Sequence, residues 1–102
     1  MSPGDAVAVL PDAEVDAALE EQGLHWVREG HELVSTVTLI DFAAALVFVN
    51  AVGAAAEAAN HHPDIDIRWN KVTLRLSTHS AGGLTVLDLA LASAIDALGP
   101  PR

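Results

Sequence analysis

From Phe42 to Ala56 the chain runs without a single charge, with Asn50 its one amide side chain and with Asp41 and Glu57 at its two ends. A run of this length is helical, because strands rarely exceed about 4–8 residues. It falls short of the ~20 apolar residues that span a bilayer, and Asn50 and Gly53 interrupt it. Asp41 has the right side chain for an N-cap. Pro63 sets the other limit, because proline disfavours helical backbone in the residue before it. A helix over 41–60 then carries two apolar stripes, Phe42, Ala45, Leu46, Val49, Val52 and Ala56 on one and Val47, Phe48 and Ala51 on the other. Two stripes imply two partners, so burial on most of the circumference is expected.

The remaining pattern is shorter and alternates. Asp12 is placed to cap a first helix whose Val15, Ala18 and Leu19 share a face, with Gly23 to end it. Leu24 to Arg28 and Glu32 to Ile40 read as two strands around Glu29-Gly30-His31. After Pro63, Ile65, Ile67 and Trp69 alternate with Asp64, Asp66 and Arg68, the mark of a half-buried strand. Lys71 to Ser77 alternates likewise, leaving Asn70-Lys71 as the expected turn. A last helix from Thr85, with Leu87, Leu91, Ala94, Ile95 and Leu98 inside, ends at Gly99-Pro100-Pro101. The order α-β-β-α-β-β-α predicts an α+β fold: a four-stranded antiparallel sheet with three helices packed on one face. At 102 residues the chain is one domain over 1–102, with the first ten residues and last four reading as tails.

Composition narrows the partners. Fourteen acidic against five basic residues give a net charge of −9, which disfavours nucleic acid and anionic membranes. Arg68, Lys71 and Arg75 offer at most a small positive field near the histidines. Cysteine is absent, so thiolate metal sites and disulfides are excluded, and a reducing, cytoplasmic setting is expected. No secretory signal pattern opens the chain. A 51% apolar share is high for so small a body, so some of that surface is expected to lie between subunits.

Residues 57 to 88 hold the chemistry: Glu57, then His61-His62-Pro63, Trp69, His79 and Asp88. Histidines titrate near neutrality, so three in one window beside a turn point to proton transfer or ligand binding. With Asn70-Lys71 as the turn, Trp69 pairs with Val72, and the same register sets His62 opposite His79, near enough for two imidazoles to flank one planar ligand. Glu57, four residues before His61, shares its helix face and could orient that imidazole.

This spacing resembles the signature of the pterin-4a-carbinolamine dehydratases, and the likeness extends from about Asp12 to Leu98 through Trp69-Asn70-Lys71-Val72, Leu76-Ser77-Thr78-His79 and Gly83-Leu84. The resemblance implies the same fold in a homotetramer or dimer, and a lyase that removes water from a 4a-hydroxytetrahydropterin with no redox cofactor and no metal. Carried onto this chain, it makes His61 and His79 acid candidates, one for each hydroxyl stereoisomer. His62 would bind the pterin and serve as base, with Trp69 in the pocket wall and Asp88 a supporting carboxylate near His79. Plainer readings stand beside these. The paired histidines could cap helix carbonyls, or bind a metal with His79 and Asp64 or Asp66, although neighbours in extended chain point to opposite faces. Asp88, three residues after Thr85, could simply complete a helix cap, Glu57 could be a solvated charge, and Trp69 could belong to the core. His25, Trp26 and His31 read as structural or surface residues. A rival of another class is a dimerisation or assembly partner on the same scaffold.

Overall fold

Seven elements follow one another in the computed structural model, which describes residues 7–98: α1 (Asp12–Glu21), β1 (Val27–Glu29), β2 (Glu32–Thr38), α2 (Phe42–Ala59), β3 (Asp64–Arg68), β4 (Lys71–Leu76) and α3 (Val86–Asp96). The four strands form one antiparallel sheet in the order β1-β2-β4-β3. This is the expected α+β arrangement. Leu33 and Val37 of β2 and Val72, Leu74 and Leu76 of β4 face the helices, which supply Val15, Ala45, Phe48, Val52, Ala56, Leu91, Ala92 and Ile95 to the same core. Each fully buried valine, leucine or isoleucine among these contributes about 1.5–3 kcal/mol. The opposite face is more polar, with Thr36 and Thr73 hydroxyls 3.1 Å apart across the β2–β4 pair.

Several details depart from the pattern. Asp12 is the first residue of α1 and not its cap; Pro11 precedes the helix and no side chain caps it. β1 starts only at Val27, and the β1–β2 hairpin turns on Gly30-His31, where Gly30 at φ 61 takes the left-handed backbone that glycine tolerates best. β2 ends at Thr38, short of Ile40. Residues 7–10 are no loose tail: Leu10 N–H donates to the Leu84 carbonyl at 2.8 Å, and Leu10 packs against the core. A Cβ on Gly83 would meet Val9 Cγ1 at 3.0 Å, so glycine is what lets this segment lie close. The stop at Gly99-Pro100-Pro101 lies outside the described residues.

Asp41 caps α2 as expected, its Oδ1 accepting from Ala44 N–H at 2.8 Å. By length and composition this helix could cross a membrane, yet one side of it is built into the core. Burial is narrower than two stripes implied. Ala45, Phe48, Val52 and Ala56 are buried, whereas Phe42, Leu46 and Val47 of the same helix stay exposed. In α3 the inner face is Asp88, Leu89, Leu91, Ala92 and Ile95; Ala94 and Leu98 lie outside it.

The second hairpin is shifted by two residues. Arg68 pairs with Lys71 and Ile67 with Val72, so the turn is Trp69-Asn70 rather than Asn70-Lys71. Asn70 is tied to the chain before α2: its carbonyl accepts from Leu39 N–H at 2.8 Å and its Nδ2 donates to the Leu39 carbonyl at 2.9 Å. Trp69 takes the left-handed backbone at φ 53, uncommon for a bulky residue. Because strand side chains alternate with period two, the even shift leaves every face of the hairpin unchanged.

Candidate active site

The site is built on the way α2 ends. Asn60 adopts φ 49, ψ 43, its N–H donates to the Glu57 carbonyl at 3.2 Å, and His61 N–H donates to the Ala56 carbonyl at 3.1 Å. That pair of bonds is a Schellman motif, in which a left-handed residue closes the last helical carbonyls and turns the chain aside. The sequence reading passed over Asn60. After glycine, asparagine is the residue best suited to this conformation, so the signal was present. Past the turn, neighbouring side chains diverge: His61 points inward, its side chain 12% exposed, and His62 outward at 55%.

The histidines have different supports. His61 Nε2 lies 2.6 Å from Asp88 Oδ1, and Asp88 is completely buried. Asp88 Oδ2 accepts from Thr85 N–H at 2.9 Å and from the Thr78 hydroxyl at 2.7 Å, while Thr85 Oγ1 is 2.8 Å from Thr78 Oγ1 and accepts from Leu87 N–H at 3.2 Å. The Thr85–Asp88 capping box is therefore real, and Asp88 serves the helix and the histidine together. His62 Nε2 is paired with Glu57 Oε2 on the surface. The His79 imidazole is exposed and makes no hydrogen bond or ion pair with the described residues; its backbone carbonyl accepts from Gly82 N–H at 3.2 Å.

Two expected pairings are thus exchanged. Glu57 meets His62, not His61, because the left-handed Asn60 breaks the i, i+4 face before His61 is reached. Asp88 meets His61, not His79. The loop explains the second exchange: Thr78 pairs with Gly83 in an isolated bridge, and a tight turn stabilised by Ala81 and Gly82 N–H bonds to the Thr78 carbonyl (each 3.0 Å) carries His79 outward while Thr78 points in. The β3–β4 register, continued past Asp64–Arg75, sets His62 against Ser77 rather than His79.

The three imidazoles nevertheless share one open cleft of about 230 Å³, lined also by Asn60, Ser77, Thr78 and Ser80. Pro63 stands half-buried at its edge, between His62 and β3. Trp69 does not line it. It lies at the far end of the hairpin, about 17 Å of strand away, 67% exposed and stacked on Phe42 with ring centroids 6.5 Å apart. Two of the three cations expected to give a positive field beside the histidines are paired with acidic side chains. Arg68 pairs with Asp66 at 3.1 Å, and Arg75 lies 3.5 Å from Glu32 and 3.8 Å from Glu29. Among the described residues, no three histidine or acidic side chains converge as a metal-ligand set. Trp26 is structural as expected, its Nε1–H donating to Asp96 at 3.1 Å.

Imidazoles around a cleft, one of them braced by a buried carboxylate, can donate and accept protons near neutrality. Fold and cleft together define a small α+β protein with three histidines around one cleft. Residues 8–98 match the family model for pterin 4 alpha carbinolamine dehydratase. A protein of Roseiflexus castenholzii with the provisional name pterin-4-alpha-carbinolamine dehydratase is 54% identical over 89 residues, 87% of this chain and 95% of its own. A protein of the same provisional name from Mycobacterium tuberculosis is 47% identical over 92 residues, 90% of this chain and 97% of its own. The crystal structure of a transcriptional coactivator/pterin dehydratase from Brucella melitensis superimposes with a TM-score of 0.82 at 28% identity, covering 90% of this chain and 99% of that one. A pterin dehydratase-like RuBisCO assembly factor of the alpha-carboxysome, at 22% identity and a TM-score of 0.59 over 74% of this chain and 87% of that one, shares the fold. This chain belongs to the pterin-4a-carbinolamine dehydratase family.

Proposed function

We propose that the chain is a hydro-lyase that converts 4a-hydroxytetrahydropterin to quinonoid dihydropterin, recycling a pterin cofactor in the cytoplasm. The C4a–OH bond breaks as an imidazolium gives its proton to the departing hydroxyl, which leaves as water. The N5–H proton passes to a base, and its electron pair forms the C4a=N5 double bond. The reaction is balanced without an oxidant or reductant. His61 and His79 are the acids, one for each hydroxyl stereoisomer, and His62 holds the pterin and serves as base. Asp88 orients His61 and Glu57 orients His62.

The observation that carries this reading is the convergence of three imidazoles on one cleft, with His61 braced by a fully buried Asp88. A positioned acid or base contributes about 10²- to 10⁴-fold. The test is stopped-flow decay of 4a-hydroxytetrahydropterin absorbance in EDTA, with and without the protein. Acceleration is expected; a decay no faster than in buffer refutes the assignment, and loss on chelation restored by zinc moves the site to metal chemistry.

A second role has its own support. Ile40 (88% exposed), Phe42, Leu46, Val47 and Trp69 are all exposed large apolar side chains of the segment around the start of α2 and the hairpin turn beside it. Single monomers seldom leave such a group uncovered. Self-association into a homotetramer or dimer through this face is the reading we favour, and capture of another protein there is its alternative. Because Trp69 lies at the opposite end of the hairpin from the histidines, either is compatible with catalysis.

A further inference from the structure

The buried hydrogen bonds behind His61 close in one direction. Leu87 N–H donates to Thr85 Oγ1 (3.2 Å), so the Thr85 hydroxyl hydrogen is free to go to Thr78 Oγ1 (2.8 Å), and the Thr78 hydroxyl hydrogen goes to Asp88 Oδ2 (2.7 Å), which also accepts from Thr85 N–H (2.9 Å). Thr78, Thr85 and Asp88 are all buried, and among the described residues no buried side-chain nitrogen or oxygen lacks a partner. Reversing the threonine hydroxyls would set Thr78 Oγ1 and Asp88 Oδ2, two acceptors, against each other at 2.7 Å, a contact without a hydrogen in a place water does not screen. A carboxylate that receives every hydrogen around it has one role left toward His61: its Oδ1, 2.6 Å from Nε2, accepts.

We propose that Thr78 is a positioning residue, whose hydroxyl holds Asp88 as a pure acceptor and so keeps the hydrogen of His61 on Nε2, leaving Nδ1 as the ring nitrogen that exchanges protons with a ligand. His61 then gives a proton from Nδ1 and takes one back there without breaking its buried bond to Asp88. The acid never has to reorient between turnovers. The statement about chemistry rests on the dehydratase reading; the statement about the hydrogen's location does not.

The experiment is a two-bond ¹H–¹⁵N correlation spectrum of protein labelled in its histidine ring nitrogens, combined with steady-state dehydration kinetics, for wild type, Thr78→Val and Thr78→Ser. In wild type above the pH at which His61 is doubly protonated, the Nε2–H tautomer is expected. Thr78→Val keeps the shape and loses the hydroxyl; it should give a mixed tautomer and lower kcat about tenfold or more, the size of one lost charge-assisted hydrogen bond, with KM within about twofold. Thr78→Ser should recover most of both signals. A Nδ1–H tautomer in wild type overturns the proposal with no variant needed, even if Thr78→Val fails to fold. It is also overturned if Thr78→Val folds and keeps the wild-type tautomer, or if serine recovers nothing. Wild type that shows the Nε2–H tautomer but no dehydration removes the dehydratase reading and leaves the tautomer assignment standing.

Discussion

Replacing Asp88 separates its structural part from its chemical one. In Asp88→Asn the amide oxygen can take the place of Oδ2, where Thr85 N–H and the Thr78 hydroxyl both need an acceptor. The amide nitrogen then falls opposite His61 Nε2, donor against donor, unless the imidazole moves its hydrogen to Nδ1. The two bonds to the amide oxygen survive without their charge assistance and the bond to His61 is weakened further, a cost of about 1–2 kcal/mol. Asp88→Ala removes all three acceptor contacts, half of the capping box and some buried volume. With an unpaired buried N–H at about 1–3 kcal/mol and a lost cap at about 1 kcal/mol, it should cost about 2–5 kcal/mol. At roughly 4–8 °C of Tm per kcal/mol for a domain of this size, the asparagine variant melts about 4–16 °C below wild type and the alanine variant about 8–40 °C below. Both should lose about 10²- to 10⁴-fold in kcat, because the asparagine fixes the wrong tautomer even where the geometry survives. Thermal melts at equal protein concentration and stopped-flow dehydration read the two effects apart. An asparagine variant with near wild-type kcat would show Asp88 to be a helix cap and nothing more. Equal destabilisation by both substitutions would refute the hydrogen-bond accounting.

The other expectations are simpler. His61→Ala and His79→Ala should each lower kcat about 10²- to 10⁴-fold and differ in preference between the two 4a-hydroxyl stereoisomers, whereas His62→Ala should chiefly raise KM. His31→Ala, which meets the cleft-lining Ser77 through its backbone carbonyl, should leave both parameters near wild type; three active, folded cluster variants would end the catalytic reading. Val47→Glu, at a position 69% exposed, should weaken self-association more than it lowers the melting temperature, and light scattering that finds wild type monomeric at micromolar concentration refutes the oligomer. Asp16 is held below its ordinary value of 3.8 by the hydrogen bond from Arg28, so its contribution is present above that value and is lost as pH falls through the lowered one. Urea midpoints of wild type and Asp16→Asn should therefore differ slightly near neutrality and converge in acid; a gap that widens in acid contradicts the sign.

Local chemistry made much of this protein legible from its residues in order. Asp41 as a cap, Pro63 as a stop, the threonine and aspartate spaced for a capping box at Thr85 and Asp88, and the alternation in β3 and β4 each act within a few residues. Side chains there choose a backbone conformation before any tertiary contact forms. The gathering of His61, His62 and His79 was readable as well, through spacing and family likeness. What each histidine touches was not. Asn60 turned the chain left-handed and passed Glu57 from His61 to His62, and packing of α3 beneath the 78–83 loop delivered Asp88 to His61. The same holds for Trp69. Its place in an alternating row predicted a strand, but the two bonds between Asn70 and Leu39 drew the turn back by one residue and put the indole beside Phe42. Periodicity fixes which face a residue belongs to, because a shift of two preserves it. Register, and with it the choice of hydrogen-bond partner, depends on contacts such as Asn70 with Leu39 and His61 with Asp88, which join residues 31 and 27 positions apart and exist only in the folded chain.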